Sequence, residues 1–216
     1  RQLALERERI RISKDLHDDI GSTLTRITMF SEVAALEAGK ISKGDTEISK
    51  HVERLSSLLT DIGQNSRDVI EAMSDVVWSI DARNDTFDNL ALRMKNYAGR
   101  LLSVKDINYE LTIPVHLLDG PLPIMFKRNF YLIFKEIINN IIKHSSATNV
   151  SVSLEINDNL LVMSVFDNGC GFNSQENTSG SGLKNMKDRA QSLNGTVIVT
   201  SNQFSGTSVK VELKIP

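Results

Sequence analysis

Residues 48–80 read ISKHVERLSSLLTDIGQNSRDVIEAMSDVVWSI. Along them Ile48, Val52, Leu55, Leu59, Ile62, Ser66, Val69, Met73, Val76 and Ile80 alternate steps of four and three, a heptad seam on a single long helix. Only Ser66 interrupts its apolar character. Upstream, Ile12, Leu16, Ile20, Leu24, Ile27 and Phe30 also recur at steps of three or four, which predicts a first long helix over residues 2–37. The stretch from Gly39 to Asp45 is the turn between the two. A helical hairpin of this kind cannot bury its seam alone. Pairing with an identical hairpin to form a four-helix bundle is the simplest solution, so residues 1–82 are expected to form an all-α homodimer.

The pattern changes after Ile80, where Asp81, Arg83, Asn84 and Asp85 make a polar joint, and residues 83–216 are expected to form a second domain. A shorter helix follows with Phe87, Leu90, Met94, Ala98 and Leu101 inward. Ile107, Tyr109, Leu111 and Ile113 alternate as a strand, and Met125 to Lys143 reads as a helix. Val150 to Ile156 and Leu160 to Phe166 form a hairpin across Asn157, Asp158 and Asn159. A helix from Leu183 to Leu193 then precedes strands Val197 to Ser201 and Ser208 to Ile215. The sum is an α+β sandwich with helices on one face of a mixed sheet.

Charge and composition exclude several classes. The 216 residues carry 25 basic and 27 acidic side chains, a formal net charge of -2, mixed along the chain. No basic face points to nucleic acid, and no polybasic tract points to direct membrane contact. The single Cys170 has no partner for an internal disulfide, and no apolar run has the length of a membrane span. A reducing, aqueous compartment, the cytoplasm, is expected. The charged, helix-favouring start at Arg1 is expected to continue an upstream helix.

On the first helix His17 sits at the edge of the apolar stripe, with Asp18 facing outward and Gly21 one turn further along the same side. Glycine is a poor helix former, and its use there suits the close approach of a bulky partner to His17. A neutral imidazole is a good phosphoryl acceptor, and the adjacent Asp18 carboxylate is the candidate for holding its tautomer and stabilising developing positive charge. Taken alone, a His-Asp pair is more often a solvated helix surface. On the later helix Ile137, Ile138, Ile141 and Ile142 cover one side, while Glu136, Asn140 and Lys143 fall within about 60° on the other. An Asn140 amide oxygen suits Mg²⁺ that already carries triphosphate oxygens. Glu136 then orients a metal-bound water or polarises the attacking group, and Lys143 meets phosphate. An ordinary amphipathic helix is the competing reading of that face.

Asp167-Asn168-Gly169-Cys170-Gly171-Phe172 follows an apolar strand, delivering an acidic side chain into a loop whose glycines allow close backbone approach. Asp167 there suits an adenine amino group; by itself Asp-Asn-Gly also reads as a hairpin turn. The Ser-, Gly- and Asn-rich stretch from Asn173 to Gly182 opens a helix at Leu183, whose N-terminus suits phosphate. No Gly-x-x-x-x-Gly-Lys-Ser/Thr run is present, which excludes a P-loop.

In order, these segments resemble the transmitter region of two-component sensor histidine kinases, over essentially the whole chain. The subclass is the one whose phosphoacceptor is followed by an acidic residue, as in nitrate-responsive and membrane-fluidity sensors. Asp15-Leu16-His17-Asp18-Asp19-Ile20-Gly21 resembles the phosphoacceptor box, and Lys135 through His144 resembles the N box. Asp167-Asn168-Gly169-Cys170-Gly171 is similar to the first glycine box, and Gly180-Ser181-Gly182-Leu183-Lys184-Asn185-Met186 to the second. Ser205-Gly206-Thr207 is similar to the terminal Gly-Thr element. The resemblance implies a dimerisation and phosphotransfer bundle joined to a Bergerat ATP-binding fold. It implies autophosphorylation on His17, with Asp18 and Glu136 catalytic and Asn140 on Mg²⁺. Lys143, His144, Asp167, Gly169, Gly171, Gly180, Gly182, Leu183 and Thr207 then contact ATP. A response-regulator receiver domain is the implied partner. Val77-Trp78-Ser79-Ile80-Asp81 is also similar to Bacteroidetes-type sensors, which implies that the whole protein is tethered to the inner membrane. Many members of the subclass place Gln where this chain has Ser22, so slow dephosphorylation of the regulator is expected.

Overall fold

In the computed structural model the described residues are 23–36, 48–114, 116–172, 181–203 and 205–216. The phosphoacceptor box and the Gly39 to Asp45 turn lie outside them. The chain divides into two units, Arg1–Trp78 and Ser79–Pro216. In the first, residues 23–36 are helical (α1). The second helix, α2, is Ile48–Ile80, as the heptad spacing predicts, and it passes from the first unit into the second. Hydroxyls that would disfavour a helix interior fold back onto their own backbone: Thr60 Oγ1 donates to Ser56 O at 2.9 Å and Ser66 Oγ to Ile62 O at 2.8 Å. Ser66 is therefore satisfied within α2. Of the seam, Val69 and Val76 are buried, whereas Val52, Leu59 and Met73 are 49%, 57% and 47% exposed.

The joint is built from short-range polar contacts. Asp81 caps a 3-10 turn, Ala82–Asn84, through its Oδ1, which accepts from Arg83 N at 3.0 Å. The Arg83 guanidinium also binds both Asp81 oxygens, and these bonds hold that carboxyl at about 2. Thr86 then caps α3 (Phe87–Val104), accepting from Asn89 N at 3.4 Å. Asp85 ties the joint to the next domain at two points. Its carbonyl accepts from Leu122 N at 2.6 Å, and its carboxylate pairs with the wholly buried Lys127.

Beyond the joint, α3 buries Phe87, Leu90, Met94 and Ala98 as its periodicity predicts. The last turn differs from expectation: Leu102 is the fully buried residue and Leu101 is only half-buried, because the step of four from Ala98 points more directly inward than the step of three. The remaining elements are β1 (Asn108–Thr112), α4 (Ile124–Asn140), β2 (Asn149–Asn157), β3 (Leu160–Asp167), α5 (Ser181–Ser192), β4 (Thr196–Ser201) and β5 (Thr207–Lys214). They form one five-stranded sheet of order β1-β2-β3-β5-β4, in which only β1 and β2 pair in parallel. The hairpin between β2 and β3 is tighter than the sequence implied. Asn157 pairs with Leu160, leaving Asp158 and Asn159 at φ 47 and 64, the two-residue turn whose twist matches the strands.

Alternation decides the sheet's faces. Val150, Val152 and Leu154 of β2 are buried, while Ser151, Ser153 and Glu155 between them are exposed. Leu161, Met163 and Val165 of β3 and Val209, Val211 and Leu213 of β5 continue the buried face. Phe130, Ile133, Phe134 and Ile138 on α4, each at 0% exposure, complete that core. Helix α4 ends three residues earlier than the sequence predicts. Ile141–Ser145 widen into a π-turn, and Ser146 closes it at φ 51. Such widenings gather at functional sites, and here the turn carries Lys143 and His144.

Candidate functional site

The π-turn, the end of β3 and the start of α5 converge on a cavity of approximately 660 Å³. That volume lies in the range that holds a nucleotide-sized molecule. Glu136, Asn139, Asn140, Lys143 and His144 supply one wall. Val165, Val209 and Val199 supply apolar lining, and their register explains it: Val165 pairs with Val209, which pairs with Val199, so all three fall in one row across the sheet. Met186 of α5 adds further apolar surface.

Asp167 ends β3 opposite Thr207 of β5, and both line the cavity. It is 4% exposed. Its Oδ1 accepts from Gly169 N at 2.9 Å, and among the described residues no donor meets the second oxygen. Burial pushes this carboxyl above its ordinary value, and the Gly169 bond opposes that shift in part. A buried carboxylate with a vacant acceptor fits a ligand that brings its own N–H donor.

The loop that follows is held by its neighbours. Asn168 Oδ1 accepts from Thr148 N at 2.9 Å and Asn149 N at 2.8 Å, tying the loop to the start of β2. Cys170 N donates to Ser145 O at 2.7 Å, and Cys170 Sγ to His144 O at 3.3 Å. A side chain at Gly169 would place its Cβ 2.2 Å from Ser145 O, so only glycine lets the loop lie on the π-turn. Gly171, at φ +60, turns the chain toward Phe172, whose N–H donates to Ser201 Oγ at 2.9 Å. Asp-Asn-Gly is thus an anchored strand end rather than a hairpin turn.

Glu136 meets the first turn of α5. A Cβ built on Gly182 would lie 2.0 Å from Glu136 Oε1, so the carboxylate rests against that backbone. Negative charge is favourable beside a helix N-terminus.

The structure therefore brings Glu136, Asn140, Lys143, His144, Asp167, Gly171, Gly182, Leu183 and Thr207 to one cavity, with Gly169 packed behind it. His17, Asp18 and Gly180 lie outside the described residues. Asn139, Ser145, Phe172, Met186 and the three valines were not among the site residues expected from the sequence. Alternation within the strands carried the signal for the valines; helical spacing from Glu136 carried it for Asn139. Among the described residues no group of three His, Cys, Asp or Glu side chains is placed to hold a metal ion. The donors present fit a magnesium ion that arrives with triphosphate oxygens and takes one amide ligand from the protein.

Comparison with known proteins agrees with this geometry. Residues 127–216 match the family of histidine kinase-, DNA gyrase B- and HSP90-like ATPases, and residues 8–77 match a histidine kinase family. The oxygen sensor histidine kinase NreB of Staphylococcus carnosus is 28% identical over 98% of this chain and 58% of its own length. The sensor protein VraS of Staphylococcus aureus is 27% identical over 98% of this chain and 56% of its own length. The chain thus spans little more than half of these relatives. Among solved structures, the Acinetobacter baumannii histidine kinase AdeS superposes with a TM-score of 0.57 at 17% identity, covering 88% of this chain and 95% of its own. The histidine kinase domain of the Erythrobacter litoralis blue-light activated kinase EL346 gives 0.55 at 16% identity, covering 93% of this chain and 95% of its own. Those two likenesses are of fold.

Proposed function

We propose that the chain is the transmitter of a two-component sensor histidine kinase, because it matches, in that order, a histidine kinase family over residues 8–77 and the histidine kinase-, DNA gyrase B- and HSP90-like ATPase family over residues 127–216. Residues 83–216 bind ATP, and residues 1–82 dimerise and present His17. The bond between the γ-phosphorus and its bridging oxygen breaks as the imidazole nitrogen attacks, and ADP leaves. The phosphoryl group then passes from His17 to an aspartate of a response-regulator receiver domain.

The observation that carries this reading is the buried Asp167 at the edge of a nucleotide-sized cavity, with an acceptor that no described donor occupies. An adenine amino group completes it. Glu136, Asn140 and Lys143 form the polar wall suited to the phosphates, and Leu183 and Gly182 begin the helix whose N-terminus favours their charge. Mg²⁺, held by the Asn140 amide oxygen, neutralises triphosphate charge when bound. Asp18 holds the His17 tautomer, and His144, Gly171, Gly180 and Thr207 shape the nucleotide's surroundings. Phosphoryl transfer of this kind needs positioning and charge neutralisation more than covalent participation, which matches a site rich in donors and poor in nucleophiles.

Half-exposed apolar residues on the α2 seam support the homodimer, since a second copy removes them from water. No helix among the described residues is long and apolar enough to cross a membrane. The similarity of Val77-Trp78-Ser79-Ile80-Asp81 to Bacteroidetes-type sensors supports attachment of the whole protein to the inner membrane, with this part on the cytoplasmic side.

The test is incubation with γ-labelled ATP and Mg²⁺, wild type beside His17→Ala. Label that survives alkali, is lost in acid and disappears in the variant supports the reading. Tight ATP binding with no label in the wild type would sink it in favour of a regulator-binding module.

A further inference from the structure

We propose that Asn139, held by Tyr97, is a second phosphate-contacting amide in the cavity, beside Asn140. This rests on the reading of the cavity as an ATP site. Asn139 is half-buried in the cavity wall. Its Oδ1 accepts a hydrogen bond from Tyr97 Oη at 2.8 Å. Among the described residues, no acceptor meets its two Nδ2 hydrogens.

An amide has one accepting end and one donating end. In the structure the accepting end is engaged by Tyr97, so the NH₂ group is the end left to a ligand. Tyr97 has little freedom to release it. The ring is 6% exposed, meets Tyr131 edge-on at 6.0 Å between centroids, and has Lys135 Nζ 5.6 Å from its centre. Tyr97 lies on α3, the first helix after the joint, so the contact also links that helix to the cavity wall.

The chemistry of the wall identifies the ligand atoms. Asn139 and Lys143 both line the cavity, and both offer donors to it. Paired donors of this kind match the oxygens of a polyphosphate chain. Asp167, an acceptor, matches the base instead. Asn139 therefore discriminates by phosphate content, and Tyr97 is its positioning residue.

The experiment is calorimetric titration of the full chain with Mg·ATP and, separately, with adenosine. Asn139→Ala is expected to weaken ATP binding about tenfold, the loss of one hydrogen bond to a charged oxygen, and to leave adenosine binding unchanged. Asn139→Asp keeps the acceptor for Tyr97 but presents an anionic oxygen, and is expected to weaken ATP binding further. Tyr97→Phe keeps the ring packing, which its melting curve verifies; it is expected to weaken ATP binding about threefold, and to add nothing in the Asn139→Ala background. Unchanged ATP affinity in both Asn139 variants, equal loss of adenosine, or additive effects of the two sites would overturn the inference. A wild type that binds ATP while the variants match it removes only this inference, whereas a wild type that binds no nucleotide removes the ATP reading beneath it.

Discussion

Helices α2 and α4 are both amphipathic, but they end in opposite states. On α4, Phe130, Ile133, Phe134 and Ile138 have no exposure, because other elements of the same chain, α3 and α5 among them, cover them. On α2, the seam residues Val52, Leu59 and Met73 remain about half in water, with Val69 and Val76 alone fully covered among the seam's described side chains. Apolar periodicity says only that a helix face seeks cover, and not whether its own chain supplies it. For α4 the cover is intramolecular. For α2 the proposed cover is a second copy, and on that reading its stability depends on protein concentration.

The largest effect that sharpens this contrast is Phe134→Ala. Removing a wholly buried ring is expected to destabilise the ATP-binding unit by about 3–5 kcal/mol, read by chemical denaturation, with no dependence on protein concentration. Leu59→Glu is expected to leave that unit's unfolding intact and weaken self-association about 100-fold, read by sedimentation equilibrium. If instead Leu59→Glu unfolded the second unit, or left association unchanged, the contrast between the helices would be broken.

Asp167 separates stability from function within the second unit. Its folded-state carboxyl is raised, so the native chain holds that proton more tightly than the unfolded chain. The group's contribution to ligand-free stability is therefore full below its unfolded value and falls as pH rises through the folded value. Nucleotide binding runs the other way, since an amino donor needs the carboxylate, and weakens as pH falls toward the raised value. Asp167→Asn is expected to lower ATP affinity about tenfold, to raise the ligand-free melting temperature by about 2 °C, and to flatten both pH dependences. A melting temperature that falls along with affinity would make Asp167 a structural residue.

Gly182→Ala gives the smallest effect. The added methyl group displaces the Glu136 carboxylate, the movable end of a flexible side chain, and not backbone. Phosphoryl transfer is expected to slow by about threefold to tenfold with ATP affinity changed less than twofold, read by single-turnover labelling. Equal loss of both would place Gly182 in binding instead.

Much of this site was legible because its residues sit close together in sequence. Glu136, Asn140 and Lys143 share a helix face by spacing alone, and Asp167 was marked by an acidic residue between an apolar strand and glycines. The π-turn was not legible. Ile141 and Ile142 continue the helical pattern without a break, and the widening follows from Ser145 Oγ bonding to Ile141 O at 2.9 Å and from the loop at Gly169 and Cys170 pressing on Ser145. The role of Tyr97 was equally hidden, since 42 residues separate it from Asn139.

Local chemistry thus determined from sequence the two-part organisation, the element types and the polar groups offered to a nucleotide, because each depends on periodicity or on neighbours within a few residues. Tertiary structure decided which apolar faces found cover, where α4 opened into its π-turn, and which end of Asn139 meets Tyr97. Those outcomes depend on pairs of groups far apart in the chain, and their distances exist only once the sheet has been closed against its helices.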